Sequence, residues 1–161
     1  QMRAVPYGKP CRISDDVTAV LTDAGHLLGS ASVHLTILEP PITKTLFFSG
    51  DIGRPNDQIL RSPERFLPAD YILCESTYGD KRHPPEPDLK GRLLRIVEET
   101  CVEKRGKLII PAFAVDRTQE LIYTLDQLSA EGQLPRLPVY IDSPMSVNAT
   151  DVMRHHDEDF N

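Results

Sequence analysis

The sequence predicts an α/β protein in which a run of strands is followed by alternating strands and helices. Up to about Thr77 the strand patterns follow one another without an intervening helical pattern. From Tyr71 onwards, strand and helix patterns alternate three times, which is typical of a parallel sheet covered by helices. We therefore expect two structural parts, residues 1–80 and residues 81–161.

The first part is predicted to be an antiparallel meander. Residues 17–22 form a β-branched run, and in residues 33–37 apolar side chains alternate with polar ones, as in a half-buried strand. A proline-containing turn at 39–41 leads to a returning strand at 45–49. After a polar loop, residues 71–74 form an apolar run that predicts a strand buried on both faces.

The second part begins after a proline-rich linker at residues 81–88. Asp88 is expected to cap a helix that Gly106 stops, and residues 107–110 then predict a short buried strand. Two further helices are expected, separated by a predicted strand at 139–142. Asp116 and Gln119 would form a capping box at the start of one, which ends near Gly132, and Ser143 and Pro144 would begin the other, which runs to about His156.

The bulk composition is that of an ordinary soluble protein. The 161 residues are 40% hydrophobic and 26% charged, and no apolar run approaches the ~20 residues that a membrane span needs. Three widely separated cysteines without CxxC spacing argue against a disulfide framework, so a reducing cytoplasm is the expected location. The net charge of −6 disfavours a protein that coats nucleic acid, but a metal pair could still give a nuclease its positive potential.

Three glycine-flanked turns at strand ends carry groups that can bind metal or move protons: His26, Asp51 and Glu75. His26 fits a zinc ligand, and equally a loop histidine with a structural hydrogen bond. Asp51 fits a carboxylate that bridges two metals, and equally a turn residue. Glu75 fits a cap or an acid near a metal site. Spacing alone leaves these interpretations open.

Other candidates carry less information. Arg117 and Ser143 lie at helix-starting turns whose backbone N–H groups could bind phosphate, although helix capping explains these turns equally well. His34 lies on the polar face of a strand, and His83 lies in the linker. His155 and His156 precede an acidic tail, where a solvated helix end is the simpler explanation.

Taken together, the motifs are more specific than any one of them. Residues 24–31 and 48–54 resemble the third and fourth metal motifs of the metallo-β-lactamase superfamily, and residues 75–79 resemble motif A of the β-CASP nucleases. Residues 110–120 and 139–145 look like the opening of the β-CASP insert. The set is similar to the nuclease family that includes the endonuclease of the pre-mRNA 3′-end cleavage machinery and its bacterial and archaeal relatives.

The resemblance implies roles for individual residues. His26 would be a terminal ligand of one zinc ion, and Asp51 would bridge two zinc ions and help to hold the hydroxide that attacks the phosphodiester. Glu75 would orient a histidine from a later motif, or share a proton with it. Arg117 and Ser143 would contact the substrate, expected to be single-stranded RNA. Asp116 departs from the glycine that the family often has, which puts a close backbone–phosphate approach there in doubt.

The resemblance also implies how the chain relates to a whole protein. The HxHxDH motif, which supplies most metal ligands in this family, and the later histidine motifs are not found in the sequence. We therefore expect an internal fragment that is inactive alone: residues 1–80 from the middle of a metallo-β-lactamase domain and residues 81–161 from the start of its β-CASP insert. The whole protein would be an enzyme without a membrane association, and a homo-oligomer stays open.

Two other functions remain to be weighed. One is a non-catalytic scaffold subunit of an RNA-processing complex, because the family includes partners that have lost metal ligands. His26 and Asp51 argue against that alternative. The other is a small-molecule hydrolase of the same fold that acts on thioesters or lactams, and motif A with the insert after it argues against that one. The sequence does not distinguish endonuclease from exonuclease.

Overall fold

The computed structural model describes residues 3–82, 88–156 and 160. The chain divides into two compact units, residues 1–81 with 158–161 and residues 82–157. Most of the predicted linker, residues 83–87 with His83, lies outside the described residues, as do residues 157–159 of the acidic tail. Among the helices of the described ranges, none combines the length and the apolar composition that crossing a membrane requires.

The first unit contains a five-stranded sheet whose strands lie side by side in chain order. The first four strands pair antiparallel, and the fifth pairs parallel to the fourth. The predicted meander is therefore confirmed. The strands are β1 (Cys11–Arg12), β2 (Val17–Asp23), β3 (Ala31–Glu39), β4 (Ile42–Phe48) and β5 (Tyr71–Leu73).

Buried side chains lie on both faces of this sheet, with Ala19 on one face and Phe47 on the other. In the register of the meander Val20 is opposite His34, and His34 is opposite Phe47. Phe47 is fully buried, and its ring packs against Phe66 with 4.8 Å between the centroids. Burying a phenylalanine contributes about 1.5–3 kcal/mol, so this pair holds the loop before β5 against the end of β4, next to the turn that carries Asp51.

The expectation that residues 71–74 are buried on both faces is wrong. Tyr71, Ile72 and Leu73 are 58%, 60% and 51% exposed. In the described part of the chain, β5 pairs with β4 and forms the edge of the sheet. An apolar run predicts a strand, but its burial depends on what packs on either side of it, and the run itself does not specify that.

In its described residues, the second unit contains three α-helices: α1 (Leu89–Val97), α2 (Arg117–Ala130) and α3 (Pro144–Arg154). The α1 helix continues as a π-helical segment, Glu98–Glu103. As predicted, Asp88 caps α1 by accepting a 2.8 Å hydrogen bond from the amide of Gly91. Ser143 caps α3 by accepting one of 3.2 Å from the amide of Ser146. Val97, Leu128 and Met153, one from each helix, are buried.

The two strands predicted in the second unit do not form. Residues 107–110 and 139–142 have no strand pairing in the described structure, and Ile109 and Tyr140 are 85% and 86% exposed. The protein is α/β as predicted, but the described residues of this unit do not build the parallel, helix-covered sheet. A strand exists only when a neighbour accepts its backbone hydrogen bonds, and local sequence does not supply that neighbour.

The predicted capping box at the start of α2 is also wrong. Asp116 has φ of 72° and makes no capping hydrogen bond with its side chain. The side-chain amide of Gln119 turns instead towards α3, where it donates to the carbonyl of Ser146 (3.3 Å) and to the hydroxyl of Thr150 (2.9 Å). A tertiary contact between two helices has replaced the local cap.

Candidate functional site

The turn that carries His26 is held by side chains on both sides of it. The Asp23 carboxylate accepts a 2.8 Å hydrogen bond from the amide of Gly25, which has a left-handed φ of 61°. The Ser30 hydroxyl oxygen accepts from the amides of His26 and Leu27, each at 3.1 Å. Such side-chain bonds to a turn backbone replace the pairing that β2 loses when it ends. The backbone position of His26 is therefore fixed.

The turn that carries Asp51 lies directly against the His26 turn. The amide of Gly53 donates a 2.8 Å hydrogen bond to the carbonyl of Ala24. A methyl group on Gly53 would overlap the carbonyl of Gly25, so only glycine permits this approach. The two glycines that flank the candidate ligands in sequence thus serve to bring the turns together.

This contact places the two candidate metal ligands side by side. The Nε2 atom of His26 lies 4.0 Å from Oδ2 of Asp51, and both side chains reach solvent, at 41% and 77% exposed. A tetrahedral zinc ion with bonds of about 2 Å needs its two donor atoms about 3.3 Å apart, so the two side chains would have to approach by less than about 1 Å to share one ion. The structure thus brings together two of the residues that the sequence singled out.

Glu75 lies beside the same turn. Its Oε1 atom accepts a 2.8 Å hydrogen bond from the amide of Ile52, and its Oε2 atom accepts a longer one, 3.4 Å, from the amide of Thr77. The Ile52 amide is the largest cause that holds the pKa of Glu75 below its ordinary value of 4.5, followed by Thr77, with a smaller contribution from the charge of His26. Glu75 is therefore a carboxylate at neutral pH and bonds the residue that follows Asp51.

The donor set fits zinc as part of a coordination shell. Imidazole nitrogen and carboxylate oxygen are both zinc donors, and a protein zinc ion takes four ligands or keeps one position for water. Within residues 3–82, 88–156 and 160, no group of three or more histidine, cysteine, aspartate or glutamate side chains is arranged to hold a metal. His26 and Asp51 would need partners beyond these residues to close a shell.

The two predicted substrate-binding residues lie in the second unit. Arg117 is engaged by carboxylates, with Nη1 2.7 Å from Oε2 of Glu120 and Nε 3.7 Å from Oδ2 of Asp116. Ser143 is the cap of α3. These local contacts explain the positions of both side chains. That Arg117 and Ser143 bind the substrate stays a prediction.

His155 and His34 each have a backbone partner. The Nδ1 atom of His155 lies 2.7 Å from the carbonyl of Asp151, one helical turn earlier. His34, on the polar face of β3, has its Nε2 atom 3.0 Å from the carbonyl of Pro68. This contact ties β3 to the loop that precedes β5.

Sequence reasoning missed the serines that build the site. Ser30 holds the His26 turn, and Ser49, at the end of β4, bonds the backbone of Glu75. A serine beside a turn glycine is common in any protein, so nothing local distinguished these two. Ser30 bonds amides of its own turn, three and four residues away. Ser49 and Glu75 are 26 residues apart, and that separation hides their contact from a local pattern.

Comparison with known proteins identifies relatives of this chain. Residues 118–161 match the Beta-Casp domain family. The chain is 38% identical over 145 residues to ribonuclease TTHA0252 of Thermus thermophilus, an alignment that covers 90% of this chain and 32% of the relative. It is 32% identical over 155 residues to an RNase J-like protein of Methanocaldococcus jannaschii, covering 91% and 34%.

A third relative is the transcription termination factor FttA of Methanothermobacter thermautotrophicus, 33% identical over 139 residues, covering 84% of this chain and 21% of the relative. The chain therefore spans between about a fifth and a third of the length of these curated relatives.

Proposed function

We propose that this chain belongs to the β-CASP family of the metallo-β-lactamase superfamily, and that the whole protein is a metal-dependent nuclease that hydrolyses phosphodiester bonds in RNA. The single observation that carries this proposal is the 4.0 Å approach of the His26 imidazole to the Asp51 carboxylate at the meeting of two turns. The names of two relatives, a ribonuclease and an RNase J-like protein, support RNA cleavage as the activity.

The proposed cofactor is a pair of zinc ions. When bound, such ions lower the pKa of a coordinated water and stabilise charge on the attacked phosphate. His26, through a ring nitrogen, and Asp51, through its carboxylate, would help to hold these ions. Glu75 would stay outside the coordination shell, because its oxygens accept the amides of Ile52 and Thr77, and would fix the turn that presents Asp51.

The proposed substrate is single-stranded RNA in the cytoplasm. With a net charge of −6, the chain has no excess of basic side chains to attract phosphates, so attraction to the scissile phosphate would come from the metal ions. Arg117 and the amides behind Ser143 would contact the substrate in the second unit. A non-catalytic scaffold is the less economical alternative, since a scaffold has no need of His26 and Asp51 side by side and open to solvent.

The proposal is tested by nuclease assays on the full-length protein. We expect cleavage of labelled single-stranded RNA in preference to DNA of the same sequence, loss of cleavage after chelation, and recovery when zinc is restored. The informative variant is His26→Ala, which should abolish cleavage. His34→Ala is the matched control, because it removes a histidine of the same sheet whose ring contacts the carbonyl of Pro68.

A protein that cleaves RNA equally well after exhaustive chelation would contradict the metal role. Equal losses in His26→Ala and His34→Ala would contradict the assignment of His26.

A further inference from the structure

We propose that Ser49 is a positioning residue that, together with Glu75, braces Asp51 for metal binding. The inference rests on the proposed function, because it concerns how the proposed metal-bridging carboxylate of Asp51 is held. It adds Ser49, which is not itself a candidate ligand. It also gives Glu75 a second role, which is to hydrogen-bond the turn that carries Asp51.

The first arm of the brace is the hydroxyl of Ser49. Its Oγ atom accepts a 3.0 Å hydrogen bond from the backbone amide of Glu75. It also donates a 2.7 Å bond to the carbonyl of Gly50, so the hydroxyl is used in both directions. Ser49 is 1% exposed. Water would therefore not readily replace the hydroxyl if it were removed, and the amide of Glu75 would lose its acceptor.

The second arm is the carboxylate of Glu75. Its Oε1 atom accepts from the amide of Ile52 at 2.8 Å. Glu75 is thus bonded to the residue two positions before Asp51 and to the residue directly after it. The Asp51 side chain is 77% exposed, so its position is set by the backbone that carries it rather than by packing around it. The two arms hold that backbone from both sides.

The brace has a rigid base within the sheet. The amide of Ser49 donates to the carbonyl of Leu73 at 2.9 Å, which continues the β4–β5 pairing by one residue. The Ser32 hydroxyl donates to the carbonyl of Ser49 at 2.7 Å, and Ser32 is also 1% exposed. Hydrogen bonds from β3 and to β5 therefore both hold the backbone of Ser49. Its hydroxyl in turn bonds the backbone of Gly50 and Glu75, and so ties the Asp51 turn to the sheet.

The test compares two variants that each delete one hydroxyl from a tie between β4 and the β5 segment. Ser49→Ala removes the arm beside Asp51. Thr45→Val removes the equivalent tie at the other end of β5, where the Thr45 hydroxyl donates to Asp70 at 2.8 Å and accepts from its amide at 2.9 Å. Thr45→Val keeps the branched shape of the side chain and leaves the Asp51 turn untouched.

Two measurements on the full-length protein separate positioning from general stability. Hydrogen exchange of the peptides around residues 50–53 and 74–77 reports whether the turn has loosened. Zinc affinity reports whether Asp51 still binds. We expect Ser49→Ala to speed exchange in both peptides and to weaken zinc binding about 10–100-fold, the usual cost of losing a group that orients a ligand. Thr45→Val should leave both quantities near wild type, and Ser49→Thr, which restores the hydroxyl, should recover part of the affinity.

Three outcomes would overturn the inference. Ser49→Ala and Thr45→Val could change exchange and zinc affinity equally, which would make Ser49 merely structural. Exchange could rise in Ser49→Ala without any change in zinc affinity, so that the brace would not position Asp51. Exchange could also stay at the wild-type level. If the wild-type protein binds no zinc and cleaves no RNA, the proposed function fails, and exchange alone then decides whether the brace exists.

Discussion

The backbone of Gly53 lies against the carbonyl of Gly25, with no room between them for a side chain. This contact joins the turn after β2 to the turn after β4, and it is the reason why His26 and Asp51 meet. Gly25 is itself crowded, because a methyl group added to it would lie 2.7 Å from the Arg61 carbonyl. Three stretches of backbone therefore converge on the candidate site.

Gly53→Ala should destabilise the protein and separate the two turns, because its methyl group would overlap the Gly25 backbone. We expect a loss of about 3 kcal/mol or more in the free energy of unfolding, at or beyond the usual upper end for overpacking, together with loss of zinc binding. Gly29→Ala is the control, because Gly29 has φ of 80° and open space around it. Its loss in the free energy of unfolding should be only roughly 1–2 kcal/mol, the cost of left-handed backbone strain. Denaturant unfolding measures both, and equal losses would contradict the close contact.

Substitutions at Asp51 and at Glu75 should affect zinc binding and RNA cleavage differently in the full-length protein. Asp51→Asn removes the negative charge proposed to lie between two cations, so both zinc content and RNA cleavage should fall. Glu75→Gln keeps a carbonyl oxygen that can accept from the Ile52 amide, so zinc should remain while cleavage falls about 10–100-fold. Metal analysis beside a nuclease assay distinguishes the two. Normal zinc content and turnover in Asp51→Asn would show that the bridging role is wrong.

The purified 161-residue chain should bind zinc weakly. His26 and Asp51 supply two donors, and water would have to fill the other positions of the shell. Calorimetry should therefore show a dissociation constant far above the nanomolar range, and His26→Ala should weaken the binding further. Tight stoichiometric binding that survives His26→Ala would mean that other groups, such as His155 and His156, bind the metal instead.

Asp70 should make the first unit sensitive to acid. The Thr45 hydroxyl, and after it the Thr45 amide, lower the pKa of Asp70 from its ordinary 3.8. Because the folded pKa lies below the unfolded one, the stabilisation is complete above about pH 3.8 and is lost as the pH falls through the lowered value. Asp70→Asn should therefore reduce the free energy of unfolding at pH 7 and make less difference at pH 3.

The effect of Asp70 should be small and reduced by salt, since the residue is exposed. Asp80→Asn, at another exposed aspartate, corrects for the loss of one negative charge. A difference between wild type and Asp70→Asn that does not change between pH 7 and pH 3 would contradict the assigned cause.

Local sequence patterns correctly predicted the features that depend on residues close together in the chain. Alternating apolar residues in β3, the Asp88 and Ser143 caps and the end of α2 before Gly132 all formed as expected, because each depends on neighbours within a few residues. The sequence also singled out His26, Asp51 and Glu75, because metal-capable groups beside glycine at strand ends are informative before any fold is known.

Tertiary structure decided the rest. It left residues 107–110 and 139–142 unpaired in the described chain and placed β5 at a sheet edge, because pairing and burial depend on partners distant in sequence. It turned Gln119 away from a local cap and towards α3. It also joined Ser49, Glu75 and Ile52 into one hydrogen-bonded brace around Asp51. The sequence by itself determined which groups could do chemistry, and only the contacts between distant turns determined which of them meet.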